Sequence, residues 1–124
     1  MVYTGTHDND TTRGWWESGA SPEERRKAEE YLKPGSDGIH WAFIRAAEAS
    51  VASLCVIPLQ DVLGLGSEAR MNVPSKAEGN WAWRYAPGSL TPELAARLAA
   101  LSEANGRSSS APIASAEETE EFVA

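Results

Sequence analysis

The sequence predicts an α/β fold in which two parallel strands belong to a larger sheet, and the positions of its polar loops are compatible with a (β/α)8 TIM barrel among other α/β architectures. Short apolar runs at residues 1–4 and 55–59 have the character of strands, helical patterns lie between them, and a polar loop follows each run. A strand, a crossover helix and a second strand imply parallel neighbours. Two strands do not form a stable sheet alone. In a (β/α)8 barrel the functional loops follow the C-terminal ends of the strands.

The first strand, Met1–Thr4, ends at Gly5 and leads into the polar loop THDNDTTRG. Most side chains of this loop are of types that hydrogen-bond to nearby backbone groups in turns. The following helix begins at Ser21-Pro22-Glu23-Glu24, where a capping box and a proline at the first helical position coincide. It is expected to run to about Lys33 and to lie on the surface, because it has few apolar residues.

A second, more buried helix is predicted over residues 36–54, followed by a strand at 55–59 whose continuously apolar sequence suits burial on both faces. The next segment, QDVLGLGSEARMN, is expected to be a loop in which two glycines allow tight turns. The helix is predicted from apolar residues that recur every three or four positions: Trp41, Ile44, Ala47, Val51 and Leu54.

A last helix is predicted to start at Thr91-Pro92-Glu93 and to stop at Gly106, with one leucine-rich face formed by Leu94, Leu98 and Leu101. Residues 1–106 are therefore assigned to the folded part. Residues 107–124 are small, polar and acidic. This composition predicts a disordered tail.

The charge of the chain excludes several classes of partner. A net charge of −7 and a pI near 4.8 argue against nucleic acid and against an anionic membrane surface, while a neutral partner such as a sugar remains open. The chain lacks both a signal-like start and an apolar run of the roughly 20 residues that span a membrane. We therefore expect a cytoplasmic protein. Its one cysteine, Cys55, lies in an apolar context and is expected to be a buried, inert thiol.

Cofactor sites find little support in the sequence. Asp8, Asn9 and Asp10 offer oxygen ligands, but the calcium-loop pattern fails because Arg13 and Gly19 stand where it needs glycine and glutamate. The segment GLGS lacks the spacing of a phosphate-binding loop. We expect neither a metal nor another cofactor.

His7 and Asp8 are the first candidates for function, because they come just after the first strand. An isolated His-Asp pair more often serves a loop cap, but here the carboxylate can stabilise positive charge or bind sugar hydroxyls, and the imidazole can donate to a hydroxyl. Gln60 and Asp61 follow the second strand and can form a wall of the same cleft. The alternative for Gln60 and Asp61 is loop capping.

The tryptophans are the second group of candidates. Trp15-Trp16 and Trp81-x-Trp83 can offer platforms on which sugar rings stack, or they can serve packing; the sequence leaves both open. Trp81 and Trp83 would point the same way in an extended chain. Trp41, within the helical stripe, is expected to be core.

Three segments together resemble the C-terminal portion of one family, the 4-alpha-glucanotransferases, also called amylomaltases or disproportionating enzymes. The segments match in order and roughly in spacing, and they cover about residues 2–107. They are VYTGTHDNDTTRGWW, VIPLQDVLGLGSEARMNVPSKAEGNWAWR and LTPELAARLAALSEANGR. The length of the middle segment makes the resemblance specific.

The resemblance implies a barrel of the α-amylase type, of which this chain would hold the last two strands, Val2–Thr4 and Val56–Leu59. Such enzymes cleave α-1,4-glucans, including maltooligosaccharides, and pass the covalently held glycosyl unit to another sugar with retention of configuration. By motif, Asp8 matches the carboxylate that stabilises the transition state, and His7 matches its sugar-binding neighbour. Three further side chains are expected to bind substrate: Asn9, Gln60 and Asp61.

The resemblance also implies that part of the enzyme is missing. In the family the nucleophilic aspartate and the acid/base glutamate lie on earlier strands, so we expect this chain to be a fragment that is inactive alone. Its expected partner is then the N-terminal part of the barrel. The alternative is a stand-alone fragment that binds glucan without chemistry or completes another chain's barrel.

Overall fold

The computed structural model of the protein describes residues 1–108, which contain a pair of short parallel strands. Strand β1, Val2–Tyr3, pairs with β2, Cys55–Val56, with Val2 opposite Cys55. The predicted parallel pairing is confirmed. The second strand was predicted to reach Leu59, which is wrong, because Pro58 has no N–H for a strand ladder and instead precedes a helix.

The polar segment after β1 is partly helical, which the sequence analysis did not predict. Helix α1, Thr12–Gly14, continues into a π-helical turn, Trp15–Gly19. The Thr11 hydroxyl caps α1 by accepting a hydrogen bond from the Gly14 N–H at 3.0 Å. A threonine before a short helix is a weak signal, because threonines are equally common in turns.

Helix α2, Pro22–Leu32, has the predicted capping box. The Ser21 hydroxyl accepts from the Glu24 N–H, and the Glu24 carboxylate accepts from the Ser21 N–H, both at 3.1 Å. Lys33 ends the helix in the left-handed conformation. No residue of α2 is buried, so the predicted surface position is confirmed.

Helix α3, Ile39–Glu48, is shorter than predicted. Val51 and Leu54, which were assigned to its buried stripe, lie beyond the helix and are exposed. The Arg107 guanidinium ends the helix by donating to the carbonyl oxygens of Glu48 at 2.8 Å and Ser50 at 3.0 Å. Arg107 therefore contacts the end of α3, while the predicted division into a folded part up to residue 106 and a tail from 107 stays a prediction. Residues 109–124 of the predicted tail lie outside the described residues.

The core forms where α3 meets helices α4, Leu59–Val62, and α5, Pro92–Ala104. Trp41, Ile44 and Val62 are buried at its centre. Five partly buried side chains pack around them, and they include the predicted leucine face of α5: Ile57, Leu59, Leu94, Leu98 and Leu101. Burial of apolar surface here holds the three helices together.

A buried carboxylate joins the ends of the two strands. Asp61 of α4 is only 3% exposed. Its Oδ2 accepts a hydrogen bond from the Thr4 hydroxyl at 2.5 Å, and its Oδ1 accepts from the Thr12 N–H at 2.8 Å. Thr4 and Thr12 stand at the two ends of the loop that follows β1, so Asp61 closes this loop.

The segment after β2 was predicted to be a loop. This is wrong both before and after its two glycines, Gly64 and Gly66. Helix α4 occupies its start and a 3-10 turn occupies Ser67–Ala69. Between them Gly64 adopts φ 67°, a conformation that glycine allows without strain.

His40 fills the space between Gly38 and Gly64, where a Cβ on either glycine would collide with the imidazole. Burial lowers the pKa of His40 below its usual value. Nearby, Asp37 bonds to Arg45 and Arg97, and the Arg97 guanidinium lies 3.8 Å from the centre of the Trp41 ring. These contacts attach α5 to the start of α3.

Two further features bear on the sequence predictions. Cys55 is a free, half-buried thiol rather than a fully buried one, and burial raises its pKa, which lowers its reactivity. No helix within residues 1–108 combines the length and the apolar character needed to cross a bilayer.

Replacing Asp61 by alanine is expected to lower the free energy of unfolding by about 2 kcal/mol or more, because two donors, one of them fully buried, lose their acceptor. Asp61→Asn keeps one carbonyl acceptor and should cost about half as much. Urea denaturation measures both. The control is Glu23→Ala, which removes an exposed carboxylate paired only with Lys27 and should cost less than about 0.5 kcal/mol. Equal stability of Asp61→Ala and wild type would contradict the assignment.

Acidification is expected to destabilise the fold through His40. The pKa of His40 is lowered in the folded state, so the unfolded chain binds this proton more readily, and stability falls as the pH drops below about 6.5. Asp37, whose pKa the Arg45 bond lowers from 3.8, contributes only in stronger acid. Denaturation midpoints between pH 7 and 5 should decline less in His40→Gln than in wild type. Parallel declines would disprove the role of His40.

Candidate functional site

The loop after β1 presents His7 and Asp8 to solvent. The side-chain oxygen of Asn9 accepts from the Thr6 N–H at 2.8 Å and from the Thr6 hydroxyl at 3.1 Å. This tight turn points the two preceding side chains outward, with His7 56% and Asp8 53% exposed. The His7 Nε2 lies 3.4 Å from the Asp8 Oδ2. The predicted pair is thus brought together at the C-terminal end of the strand.

Two residues of the segment after α4 hold Asp8 in place. The Asn72 amide donates to the Asp8 carboxylate at 2.7 Å. The Arg70 guanidinium donates to the backbone carbonyls of Asp8 at 3.1 Å and of Asn72 at 3.3 Å. Arg70 therefore joins the two loops. Asn72 has no motif of its own in the sequence.

A second bridge between the loops fixes their spacing. The Ser67 hydroxyl donates to the Asp10 carboxylate at 2.8 Å, and the other Asp10 oxygen accepts from the Thr11 N–H at 2.8 Å. Gly14 is required beneath this bridge, because a Cβ there would overlap both Asp10 and Ser67. Both oxygens of the Asp10 carboxylate therefore accept hydrogen bonds within the protein, while the Asp8 carboxylate remains partly exposed.

Trp81 lies beside the His7 ring, with 5.1 Å between ring centroids. Its backbone has φ 60° and its side chain is 59% exposed. The expectation that Trp81 and Trp83 share an extended segment is wrong at Trp81, which occupies a bend. The other tryptophan pair is packed: Trp15 meets Phe43 edge-on at 5.8 Å, and the Arg25 guanidinium lies 4.8 Å from the centre of the Trp16 ring.

The remaining predicted substrate-binding residues make contacts within the protein. The Asn9 oxygen is occupied by Thr6, and the Gln60 amide donates to the Ala69 carbonyl at 3.2 Å. Asp61 is buried with both oxygens engaged. The hydrogen bonds of Gln60 and Asp61 are thus made with residues other than Asp8, and their contact with substrate stays a prediction.

The geometry suits recognition of a polar, uncharged ligand. The Asp8 carboxylate, oriented by Asn72, can accept hydrogen bonds from hydroxyl groups and can stabilise a developing positive charge. His7 adds a hydrogen-bonding ring nitrogen. Within residues 1–108, no three histidine, cysteine, aspartate or glutamate side chains are grouped to hold a metal ion.

Known proteins resemble the chain in both sequence and structure. The 4-alpha-glucanotransferase of Synechocystis is 51% identical over 108 residues, and that of Thermus thermophilus is 50% identical over 113 residues; each alignment covers 86% of this chain. An amylomaltase from Streptococcus agalactiae, solved in complex with acarbose, superposes with a TM-score of 0.81 at 31% identity and covers 86% of this chain.

The matched portion is a small share of these relatives. The alignments cover 21% of the Synechocystis protein, 22% of the Thermus protein and 22% of the Streptococcus chain. The chain thus spans about a fifth of their length. The family described as 4-alpha-glucanotransferase matches residues 1–91, which include the whole His7–Asp8 site with Arg70, Asn72 and Trp81. On this match, the chain belongs to the 4-alpha-glucanotransferase family.

Proposed function

We propose that this chain supplies one wall of the glucan site of a 4-alpha-glucanotransferase, with Asp8 as the carboxylate that stabilises the transition state. The observation that carries the proposal is the exposed Asp8 carboxylate, held at 2.7 Å by Asn72 and flanked by His7 at 3.4 Å, within a segment that matches the family. The substrate is an α-1,4-glucan or maltooligosaccharide. His7 donates to a hydroxyl of the sugar beside Asp8.

The proposed reaction needs more carboxylates than this site offers. A retaining transfer uses a nucleophile and an acid/base about 5 Å apart, and here Asp8 would assist them by stabilising positive charge on the sugar ring. Asp10 and Asp61 are engaged by Ser67 and by Thr4 and Thr12. We infer from the family resemblance that the nucleophile and the acid/base come from the remaining part of the enzyme.

The remaining part would also complete the sheet. We infer an α-amylase-type (β/α)8 barrel in which β1 and β2 are the last two strands. Strand side chains that a barrel would cover are open here, with Tyr3 49% and Val56 46% exposed, and Tyr31 on α2 is 85% exposed. Two strands alone make an unstable sheet. A cytoplasmic location remains a prediction from the sequence.

The 124-residue chain alone is expected to release no glucose from maltotriose, because nucleophile and acid/base are lacking. Turnover should appear when the chain is co-expressed with the part of the Thermus thermophilus relative that lies outside the matched segment. Glucose release and formation of longer maltooligosaccharides measure the transfer. If the isolated chain released glucose and Asp8→Asn abolished this activity, the assignment of the nucleophile and the acid/base to the remaining part of the enzyme would be wrong. Glucan binding without turnover in the assembled protein would favour a non-catalytic binding module.

Asp8→Asn in the assembled enzyme is expected to lower kcat by about a hundredfold to a thousandfold, because the amide cannot stabilise positive charge. KM should change less, since the lost interaction is strongest in the transition state. Initial rates on maltotriose over a range of concentrations give both constants. Glu23→Gln, which removes an exposed charge on α2, is the control and should leave both unchanged. A kcat within about twofold of wild type would disprove the role of Asp8.

A further inference from the structure

Trp81 is more exposed to solvent than the other four tryptophans of the chain. It is 59% exposed, whereas Trp16 is partly covered by Arg25 and Trp15 by Phe43. Isolated exposed apolar residues are common on proteins. Trp81, however, lies against His7, with 5.1 Å between the ring centroids and 41° between the ring planes. Its apolar surface thus continues the surface formed by His7 and Asp8.

The backbone holds this exposed ring at an energetic cost. Trp81 adopts φ 60°, a left-handed conformation that is unusual for a bulky residue. Such outliers persist only where the surroundings enforce them, and they cluster at functional sites. An exposed tryptophan gains little from burial, so packing of the described residues does not account for the strain.

The surroundings that enforce the conformation are visible. The Trp81 N–H donates to the Met71 carbonyl at 2.5 Å, which closes the intervening segment into a loop. Within it, the Asn80 oxygen accepts from the Val73 N–H at 2.9 Å, and the Asn80 amide donates to the Lys76 carbonyl at 2.8 Å. The same segment begins beside Asn72, which holds Asp8. One closed loop therefore positions both the carboxylate and the indole.

We propose that Trp81 is a substrate-binding residue whose indole face stacks on a sugar ring of the α-1,4-glucan next to the ring that Asp8 and His7 contact. The inference rests on the proposed function. A flat, exposed indole face matches the C–H face of a pyranose, and an apolar platform beside a few fixed polar groups is the usual composition of a ligand site. Stacking beside a hydrogen-bonding pair would select oligosaccharides over single glucose units.

The test is a titration of the full 124-residue chain with maltoheptaose, followed through the indole N–H signals in a 1H–15N NMR spectrum. The Trp81 signal should shift on binding. Trp81→Gly removes the ring while suiting the left-handed backbone, and it should raise the Kd for maltoheptaose about tenfold. Trp81→Phe keeps an aromatic face and should stay within about threefold. Glucose should bind wild type and Trp81→Gly alike. Dispersion of the spectrum checks that each variant is folded.

The control is Tyr31→Ala, which removes an aromatic side chain that is 85% exposed on α2, a helix that makes none of the contacts of the site. Its Kd should match that of wild type. An unchanged Kd in Trp81→Gly, together with weaker binding in Asp8→Asn, would overturn the role of Trp81 and leave the proposed function standing. Absence of maltoheptaose binding by the wild-type chain would overturn the inference, while turnover of the assembled enzyme decides the proposed function separately.

Discussion

The buried Asp61 carboxylate is the contact on which the arrangement of the site depends. It sits one turn after β2 and accepts hydrogen bonds from Thr4 and Thr12, which flank the loop that carries His7 and Asp8. A charged group only 3% exposed is costly unless its oxygens are satisfied. Both oxygens of Asp61 accept a hydrogen bond here. The cost of burying the carboxylate is therefore offset only when the two strand ends and the loop adopt this arrangement.

The other contacts of the site depend on the loop arrangement that Asp61 fixes. Once Asp61 has closed the first loop, Asp10 and Ser67 join it to the second loop, and Arg70 and Asn72 reach the backbone and carboxylate of Asp8. Each bridge links residues about sixty positions apart in sequence. Such long-range polar contacts fix geometry more than they add stability, since the net gain of a hydrogen bond is about 1 kcal/mol. The exposed Asp8 carboxylate is therefore held in one orientation by residues of the second loop.

Local signals in the sequence predicted the elements whose causes are local. The capping box at Ser21 and Glu24, the apolar period of α3 and the leucine face of α5 depend on neighbours within a few residues. The parallel pairing of β1 and β2 followed from connectivity. The end of α3 was missed because a distant residue takes part: Arg107, 59 positions from Glu48, donates to the Glu48 carbonyl oxygen, and no local pattern contains that contact.

The same distinction explains which site residues could be found. His7 and Asp8 stand out because they directly follow a strand, and the family motif assigns them roles. Asn72 becomes a candidate only when the strand pairing brings the second loop to the first, and the same approach places Trp81, already a candidate from the sequence, beside His7. Asp61 was expected to line the same cleft because adjacent parallel strands bring their C-terminal loops together, and the structure shows it buried with both oxygens accepting hydrogen bonds. Burial thus separates the two aspartates at neighbouring strand ends: Asp61 holds the loop, and Asp8 retains exposed carboxylate oxygen.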